Sequence, residues 1–561
     1  MMDSSSSSSS SSSTTSSGSL DWPPNFPVLV QNSWLVKPSC KLQGSLGDIH
    51  HFTWNSQFRN LPLTGFDICR VKIGFISKLL LFDHHPEAVE DGGCSGEGFF
   101  NSGLASVRMR ESLAKALDQC RPLAGRLVRE GDGTLAIDCN DSGVLFVEAS
   151  SPISLSELRD DKSCYTYENF FPLDYASFQE IGSLEADAPL FGAQLTTFDK
   201  GGYAVGVMYC HAAVDGPSFA QFVSSWAEIT RTEGESLQIS HEAFDFRSRI
   251  NILNLQPHMT LDSSSNISEI APSAGVSTTT MSMPPEQQQL PPTWMKQEVF
   301  PNSILLAHGP REKPGSSSCM LFMKVKVELL KKLKSQLAQE YLADDAEHDA
   351  NMITTSHATE GKNMSAAVLG NLSSYAAISA LVWRASIRAR SPPEEEDTQF
   401  IPAINCRTRC DNIPSNYFGN AILDAVAVTT VGELVHRKMW YAAKLIQNSL
   451  ERFTTGECIQ SFSNRMEREK NFAFTAKFRP ERDVMVAGLI HDSLTSCDFG
   501  WGKPCCLKFD FFRLANAFLY WLPKSTSADD WAFVLKLPPH VTCRLLQDPE
   551  FMAFVTLHYA A

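Results

Sequence analysis

The chain has 561 residues, 43% of them hydrophobic and 10% aromatic, enough to bury more than one core. Forty-eight Lys and Arg against 63 Asp and Glu leave a net charge of −15, which excludes non-specific nucleic-acid binding, because the global field repels polyanions and an anionic ligand needs a local basic patch. The 15 cysteines are odd in number, include no CxxC pair and often sit in apolar runs (Cys120, Cys210), so a reducing compartment is expected and a disulfide framework is not.

Residues 1–22 hold ten consecutive serines and predict a disordered tail. No signal peptide and no run of 18 apolar residues is seen, so a cytoplasmic chain without a membrane span is expected. Arg70–Phe82 reads as a strand, alternating at first and then fully apolar. The next loop carries His84-His85, but no carboxylate-His-Cys pattern supports a site there; a solvated loop is the reading, and no metal is expected. Met109, Leu113, Ala116, Leu117 and Cys120 form one helix face, which Pro122 ends. Leu123–Val128, Thr134–Asp138 and Gly143–Ala149 predict a three-stranded meander, and Leu190–Phe198 with Tyr203–Cys210 a hairpin.

His211-Ala-Ala-Val-Asp215-Gly216 lies where that hairpin ends and a helix begins, with Pro217 in its first turn and Phe219, Phe222, Val223, Trp226 and Ile229 along one face. A strand end fixes a side chain well, and imidazole suits base chemistry near neutral pH. On the hexapeptide alone, a core histidine is an equal reading.

Residues 254–318 have no periodicity and predict a long, largely disordered crossover. A strand over Met320–Val327 then runs into a helix through Leu330, Leu333 and Leu337, followed by a polar insertion at 344–362. Ser373-Ser374 cap a helix to Arg390. Strands are expected at Phe400–Cys406, Ala421–Val431, Leu507–Phe512, Ala517–Leu522 and Ala532–Leu537, with helices at Trp440–Leu450 and near 540–555. The fold class is mixed α/β, with one domain over 23–253, a second over 319–561, and the default ligand cleft between them.

Two motifs and the blocks between them resemble the BAHD family of plant acyl-CoA-dependent acyltransferases. The first is His211-x-x-x-Asp215-Gly216; the second is Asp498-Phe499-Gly500-Trp501-Gly502, followed by Lys503-Pro504. Between them stand Asn405-Cys-Arg407-Thr-Arg409 and Tyr417-Phe-Gly-Asn420. The resemblance implies two similar chloramphenicol-acetyltransferase-like domains, each a mixed sheet with helices, and a channel reached from both sides. It implies an ester-forming transfer of a hydroxycinnamoyl, benzoyl or acetyl-type group from CoA to a hydroxyl, with an amine acceptor as the alternative. His211 would be the general base and would then protonate the leaving thiolate, without an acyl-enzyme; acyl-CoA is a co-substrate, and no cofactor is expected.

Under the same resemblance Asp215 is structural, paired with an Arg for which Arg407 is the candidate, and Asp498, Gly500, Trp501 and Gly502 shape the channel. An indole N–H from Trp501 near the oxyanion is a further reading. Arg409, Lys503, Tyr417 and Thr495 are candidate contacts for CoA or substrate, and Arg407 is a candidate for the local basic patch. Where some hydroxycinnamoyl transferases place an Arg for an acidic acceptor, this sequence has His491, which argues against a shikimate- or quinate-like acceptor. A monomer is expected. The rivals are a condensation domain, which the missing carrier domains and the Asp498–Gly502 motif disfavour, and a non-catalytic regulator or binding protein.

Overall fold

The computed structural model describes residues 26–39, 59–68, 70–83, 102–131, 135–160, 167–172, 188–232, 288–289, 318–351, 372–409, 413–451, 478–488, 493–509, 516–522 and 530–560. The serine tail, His84-His85, His491 and all of the crossover except 288–289 and 318 lie outside the described residues.

Two large sheets organise the chain. The first runs from edge to edge as Cys506–Phe509, Phe75–Phe82, Tyr203–Cys210, Phe191–Phe198, Val144–Ser151, Leu29–Val36 and Gln288–Gln289. Among the described residues its one parallel pair is Val144–Ser151 with Phe191–Phe198. All eight residues of Tyr203–Cys210 are buried, as a central strand covered on both faces requires, and its run is apolar rather than alternating for that reason. Gly206 within it cannot be replaced: a Cβ there would meet the Phe170 carbonyl oxygen at 1.9 Å.

Helices Ser102–Gln119 and Gly216–Thr232 pack together against this sheet. Trp226 fixes them, donating its indole N–H to the Met109 carbonyl at 3.0 Å and meeting Phe146 and Phe191 edge-on. Burying such a ring with its N–H satisfied avoids the cost of an orphaned donor.

The expected meander does not form. Arg126–Arg129 and Leu135–Asp138 pair with each other, and the latter with Asn60–Pro62, in a separate three-stranded sheet. Asp141 (φ 54°) and Gly143 (φ 95°) turn the chain, and Val144–Ser151, buried along most of its length, takes two neighbours in the large sheet instead.

The second sheet runs Ile422–Asp424, Asp397–Asn405, Val484–Gly488, Phe518–Trp521, Trp531–Leu537, Cys319–Val325 and Thr556–Ala560. Ala427–Thr430 also pairs with Asp397–Asn405, so the single strand expected over 421–431 is two short ones; Pro402, opposite the break, has no N–H for the ladder. Helix Ser374–Arg390 crosses the core of this half with 13 buried residues, capped by Ser373 Oγ on the Ala376 N–H at 3.1 Å.

Several elements differ from expectation: the strand expected over Arg70–Phe82 begins only at Phe75, after a 3-10 turn at Val71–Ile73, and the one expected over Phe400–Cys406 is Asp397–Asn405. Helix Val327–Asn351 continues into the polar insertion, whose remainder lies outside the described residues. Val484–Gly488 is a further strand, formed by the apolar run Val484-Met-Val-Ala487. The expected C-terminal helix is two short ones, Pro539–Leu545 and Pro549–Met552, before a last strand; Pro549 cannot continue a helix but fits a first turn, and Asp548 caps it.

The halves interlock. Cys506–Phe509, late in the chain, is the edge strand beside Phe75–Phe82 in the first sheet. Leu494, Cys497 and Phe499 belong to the first core, and Phe66 to the second.

Candidate active site

His211 sits one residue past the Tyr203–Cys210 strand, its backbone N–H held by the Gly74 carbonyl at 2.8 Å. The imidazole is partly buried, 5.8 Å centroid to centroid from the Tyr209 ring. Its pKa is pushed down to about 4, first by burial and then by the Arg70 cation, with smaller opposing effects from its own backbone, Asp215 and Asn420. The ring is therefore neutral across the physiological range and its lone pair available. The neighbouring Cys210 thiol moves the other way, to about 11, because burial penalises the thiolate. Cys210 is thus a protonated core residue and not a nucleophile for the histidine to activate.

Asp215 is fully buried and turned to the other half of the molecule. Arg407 grips it with two nitrogens, Nη1 to Oδ2 at 2.7 Å and Nη2 to Oδ1 at 3.1 Å. The Ser218 N–H donates to Oδ1 at 3.0 Å and the Ala421 N–H to Oδ2 at 2.9 Å. Four donors thus occupy the two carboxylate oxygens, two from Arg407 and two from backbone N–H groups, and none from the imidazole. Arg407 is equally engaged: it also donates to the Tyr417 carbonyl at 2.9 Å, the Gly419 carbonyl at 2.8 Å and Ser218 Oγ at 2.8 Å. Such a pair is a junction between the two halves, and its donors leave little capacity for a CoA phosphate.

A second junction lies beside it. Asn420 Nδ2 donates to Asp67 Oδ1 at 2.9 Å and to the His211 carbonyl at 2.8 Å. Asp67 Oδ2 is held by the Thr64 N–H and hydroxyl, both at 2.8 Å. Arg70 Nη2 reaches Asp424 Oδ1 at 3.1 Å and the Ile422 carbonyl at 3.2 Å.

The Asp498–Gly502 turn is built by one carboxylate oxygen: Asp498 Oδ1 accepts from the Gly500 N–H at 2.7 Å and the Gly502 N–H at 2.9 Å. Gly500 (φ 109°) and Gly502 (φ 80°) adopt backbone angles that other residues resist. The turn plants Phe499 against Trp226 and Phe82, and stacks Trp501 on Tyr203 at 4.4 Å. Tyr203 begins the strand that ends beside His211. Seven steps along a strand span about 23 Å, so the Trp501 indole does not serve an oxyanion at the histidine.

A family model described as the Transferase family matches residues 97–552. The chain belongs to that family, the BAHD acyltransferases. Among similar curated proteins, a hydroxycinnamoyl-CoA:5-hydroxyanthranilate N-hydroxycinnamoyltransferase of Avena sativa is 27% identical over 85% of this chain and 89% of its own length. A shikimate O-hydroxycinnamoyltransferase of Nicotiana tabacum is 26% identical over 71% of this chain and 77% of its own. Vinorine synthase shares the fold, with a TM-score of 0.60 and 17% identity over 95% of this chain and 99% of that one.

The two BAHD motifs therefore lie at opposite ends of one strand, His211 just past the end of Tyr203–Cys210 and the Asp498–Gly502 turn packed against its start through Trp501. His211, Asp215 and Arg407 come together with Tyr417, whose side chain is buried and whose carbonyl holds Arg407. Arg409 lies on the second half, donating to the Leu450 carbonyl at 3.2 Å, while Thr495 and Lys503 are exposed beside the distal turn. Sequence alone assigns no role to Asp67, Arg70, Ser218 or Asn420. Ser218 and Asn420 stand in family-like blocks that could have marked them; Asp67 and Arg70 carry no periodic or motif signal at all.

Removing the distal carboxylate separates the two sites. Asp498→Ala is expected to cost about 1–2 kcal/mol of stability, as for loss of a capping side chain, while kcat of the folded enzyme changes less than a few-fold. Denaturant midpoints and kcat measured on the same preparation check this; a hundredfold kcat loss in a protein of unchanged stability would contradict it.

Proposed function

We propose that this BAHD acyltransferase uses His211 to deprotonate an acceptor hydroxyl as it attacks the carbonyl of an acyl-CoA thioester, and then to return that proton to the departing CoA thiolate. The observation that carries the reading is a partly buried, neutral imidazole at a strand end where the two halves meet. An alcohol attacks a thioester slowly at neutral pH unless its proton leaves as the bond forms, and one neutral base suffices when both substrates are bound together. Asp215 and Arg407 hold the seam on which the histidine sits.

The donor is a hydroxycinnamoyl-, benzoyl- or acetyl-type CoA thioester and the acceptor a plant alcohol, with the protein acting as a cytoplasmic monomer. A second reading, an amine acceptor, is favoured by the Avena relative, whose name is that of an N-acyltransferase. The discriminating experiment gives the purified protein acetyl-, malonyl-, benzoyl- and p-coumaroyl-CoA with pooled plant alcohols and amines, and scores CoA release and product mass. Esters decide for the first reading and amides for the second; no turnover with any pair decides for a binding protein.

The low pKa makes a signed prediction. A base whose conjugate acid titrates at about 4 stays competent from pH 8 down to pH 5, and kcat/KM falls only as pH drops through about 4. The histidine's ordinary value is 6.5, so its neutral form also favours the folded state above pH 6.5, and that contribution is lost as pH falls from 6.5 towards 4. A pH series of kcat/KM on pre-checked folded enzyme tests this; a break near 6.5 would overturn it.

A further inference from the structure

We propose that a shallow depression made by Ala403 and Ala487 on the open face of the second sheet is the subsite for an aromatic ring of the substrate. The inference rests on the acyltransferase reading and narrows its substrate class.

One face of this sheet joins the core of helix Ser374–Arg390, through Phe400, Ile404, Val484, Val486 and Leu519. Alternation along the strands turns Ala403, Met485, Ala487 and Tyr520 to the other face. The first half of the molecule touches that other face at two flanks. At one, Arg70 reaches Asp424 at 3.1 Å. At the other, Phe509 of the edge strand Cys506–Phe509 packs with Met320, Phe322 and Val534, and its ring meets that of Tyr520 at 5.4 Å. Between the flanks the floor is uncovered: Ala403 is exposed, and Met485 and Ala487 are half-exposed. An apolar strip left open between two such contacts is the floor of a cleft between the halves.

The strand register makes the depression. Ala403 pairs with Asp424; Pro402 pairs with Val486, which puts Ala403 beside Ala487; and Ala487 pairs with Tyr520. Asp424, Ala403, Ala487 and Tyr520 therefore cross the sheet in one row, large at its ends and small in its middle. Neighbouring strands lie about 4.8 Å apart, so the two end walls stand about 14 Å apart at the backbone. The floor is two methyl groups. The acidic wall is neutralised by Arg70, and the opposite wall is a tyrosine ring. A planar ring lying on the methyls meets that tyrosine edge-on, an arrangement aromatic pairs favour.

The spacing from the histidine selects among substrates. Asn420 holds the His211 carbonyl, and Asp424 follows four residues later, at most about 14 Å along the chain. The reacting group stands off the histidine backbone by the length of its side chain. A ring carried on a short chain, as in an arylpropenoyl thioester or an arylalkyl alcohol, reaches the depression, whereas an acetyl group does not. A larger side chain at position 403 or 487 fills the depression and leaves His211, Asp215 and Arg407 in place.

The test is equilibrium binding, by titration calorimetry, to the full-length chain and to Ala487→Phe checked for folding by circular dichroism and thermal melting. The probes are p-coumaroyl-CoA, acetyl-CoA, and p-coumaryl alcohol titrated with CoA present. If the ring is the donor's, Ala487→Phe is expected to bind p-coumaroyl-CoA on the order of tenfold to a hundredfold more weakly, with acetyl-CoA changed less than roughly threefold. If the ring is the acceptor's, the same loss falls on the alcohol and p-coumaroyl-CoA is unchanged. Ala403→Phe, at an exposed position, is expected to repeat the pattern and carries the test alone should Ala487→Phe not fold. Equal affinity of wild type and folded variants for all three probes overturns the proposal, as does an equal loss for acetyl-CoA, and either result leaves the acyltransferase reading standing. A wild-type chain that binds none of the probes overturns both together.

Discussion

Asp215→Ala is expected to destabilise the protein by about 3–5 kcal/mol, the range for removing one partner of a buried ion pair. Arg407 would remain with a 5% exposed side chain and no counter-charge, and the Ser218 and Ala421 N–H groups would lose their acceptor. Against a total stability of about 5–15 kcal/mol for a folded domain, that loss is large enough to make the variant poorly soluble. Asp215→Asn keeps the volume and one acceptor oxygen and should fall between the two. If Asp215 were instead a proton relay, Asp215→Asn would keep its denaturation midpoint and lose kcat. Equilibrium unfolding, with kcat normalised to folded protein, separates these outcomes. A double replacement of Asp215 and Arg407 by apolar residues should be less damaging than either single change, because no charge is left buried alone.

His211→Ala is expected to do the reverse. The ring is neutral and only partly buried, so its loss should alter stability modestly, while kcat falls about 10²–10⁴-fold, the usual contribution of a positioned general base. KM for acyl-CoA should change little, since the interaction removed is one made with the transferring proton. The residual rate should lose its break near pH 4 and respond to added imidazole. A wild-type rate in His211→Ala, on folded protein with both substrates saturating, would show that His211 is not the base.

Much of this was legible in the residues. The Tyr203–Cys210 strand, the turn at His211 and the helix behind it announce themselves through an unbroken apolar run followed by helical spacing. The pairing of Asp215 with Arg407, 192 residues apart, came from the family-like Asn405-x-Arg407 block and has the geometry of a bidentate junction. What stayed hidden depends on partners chosen in three dimensions. Val144–Ser151 looks like the third strand of a meander until its two buried faces find neighbours in another sheet. Asn420 is one residue of a block whose consequence appears only when Asp67 and the His211 carbonyl are brought to the same amide. The depressed histidine pKa needs burial and Arg70 together, and no local pattern encodes either.

The edge strand Cys506–Phe509 sets the order in which a ribosome can complete this molecule. Phe75–Phe82 is made early, and its outer ladder has no partner until more than 400 further residues have been polymerised. Throughout that interval the nascent first sheet presents an open edge of mostly buried-type residues, Phe75-Ile-Ser-Lys-Leu-Leu-Leu-Phe82, the kind of surface that templates intermolecular pairing. Separate expression of the N-terminal half would freeze the chain at that stage. Closure of the first sheet therefore comes late in vectorial synthesis, after most of the second half has left the ribosome.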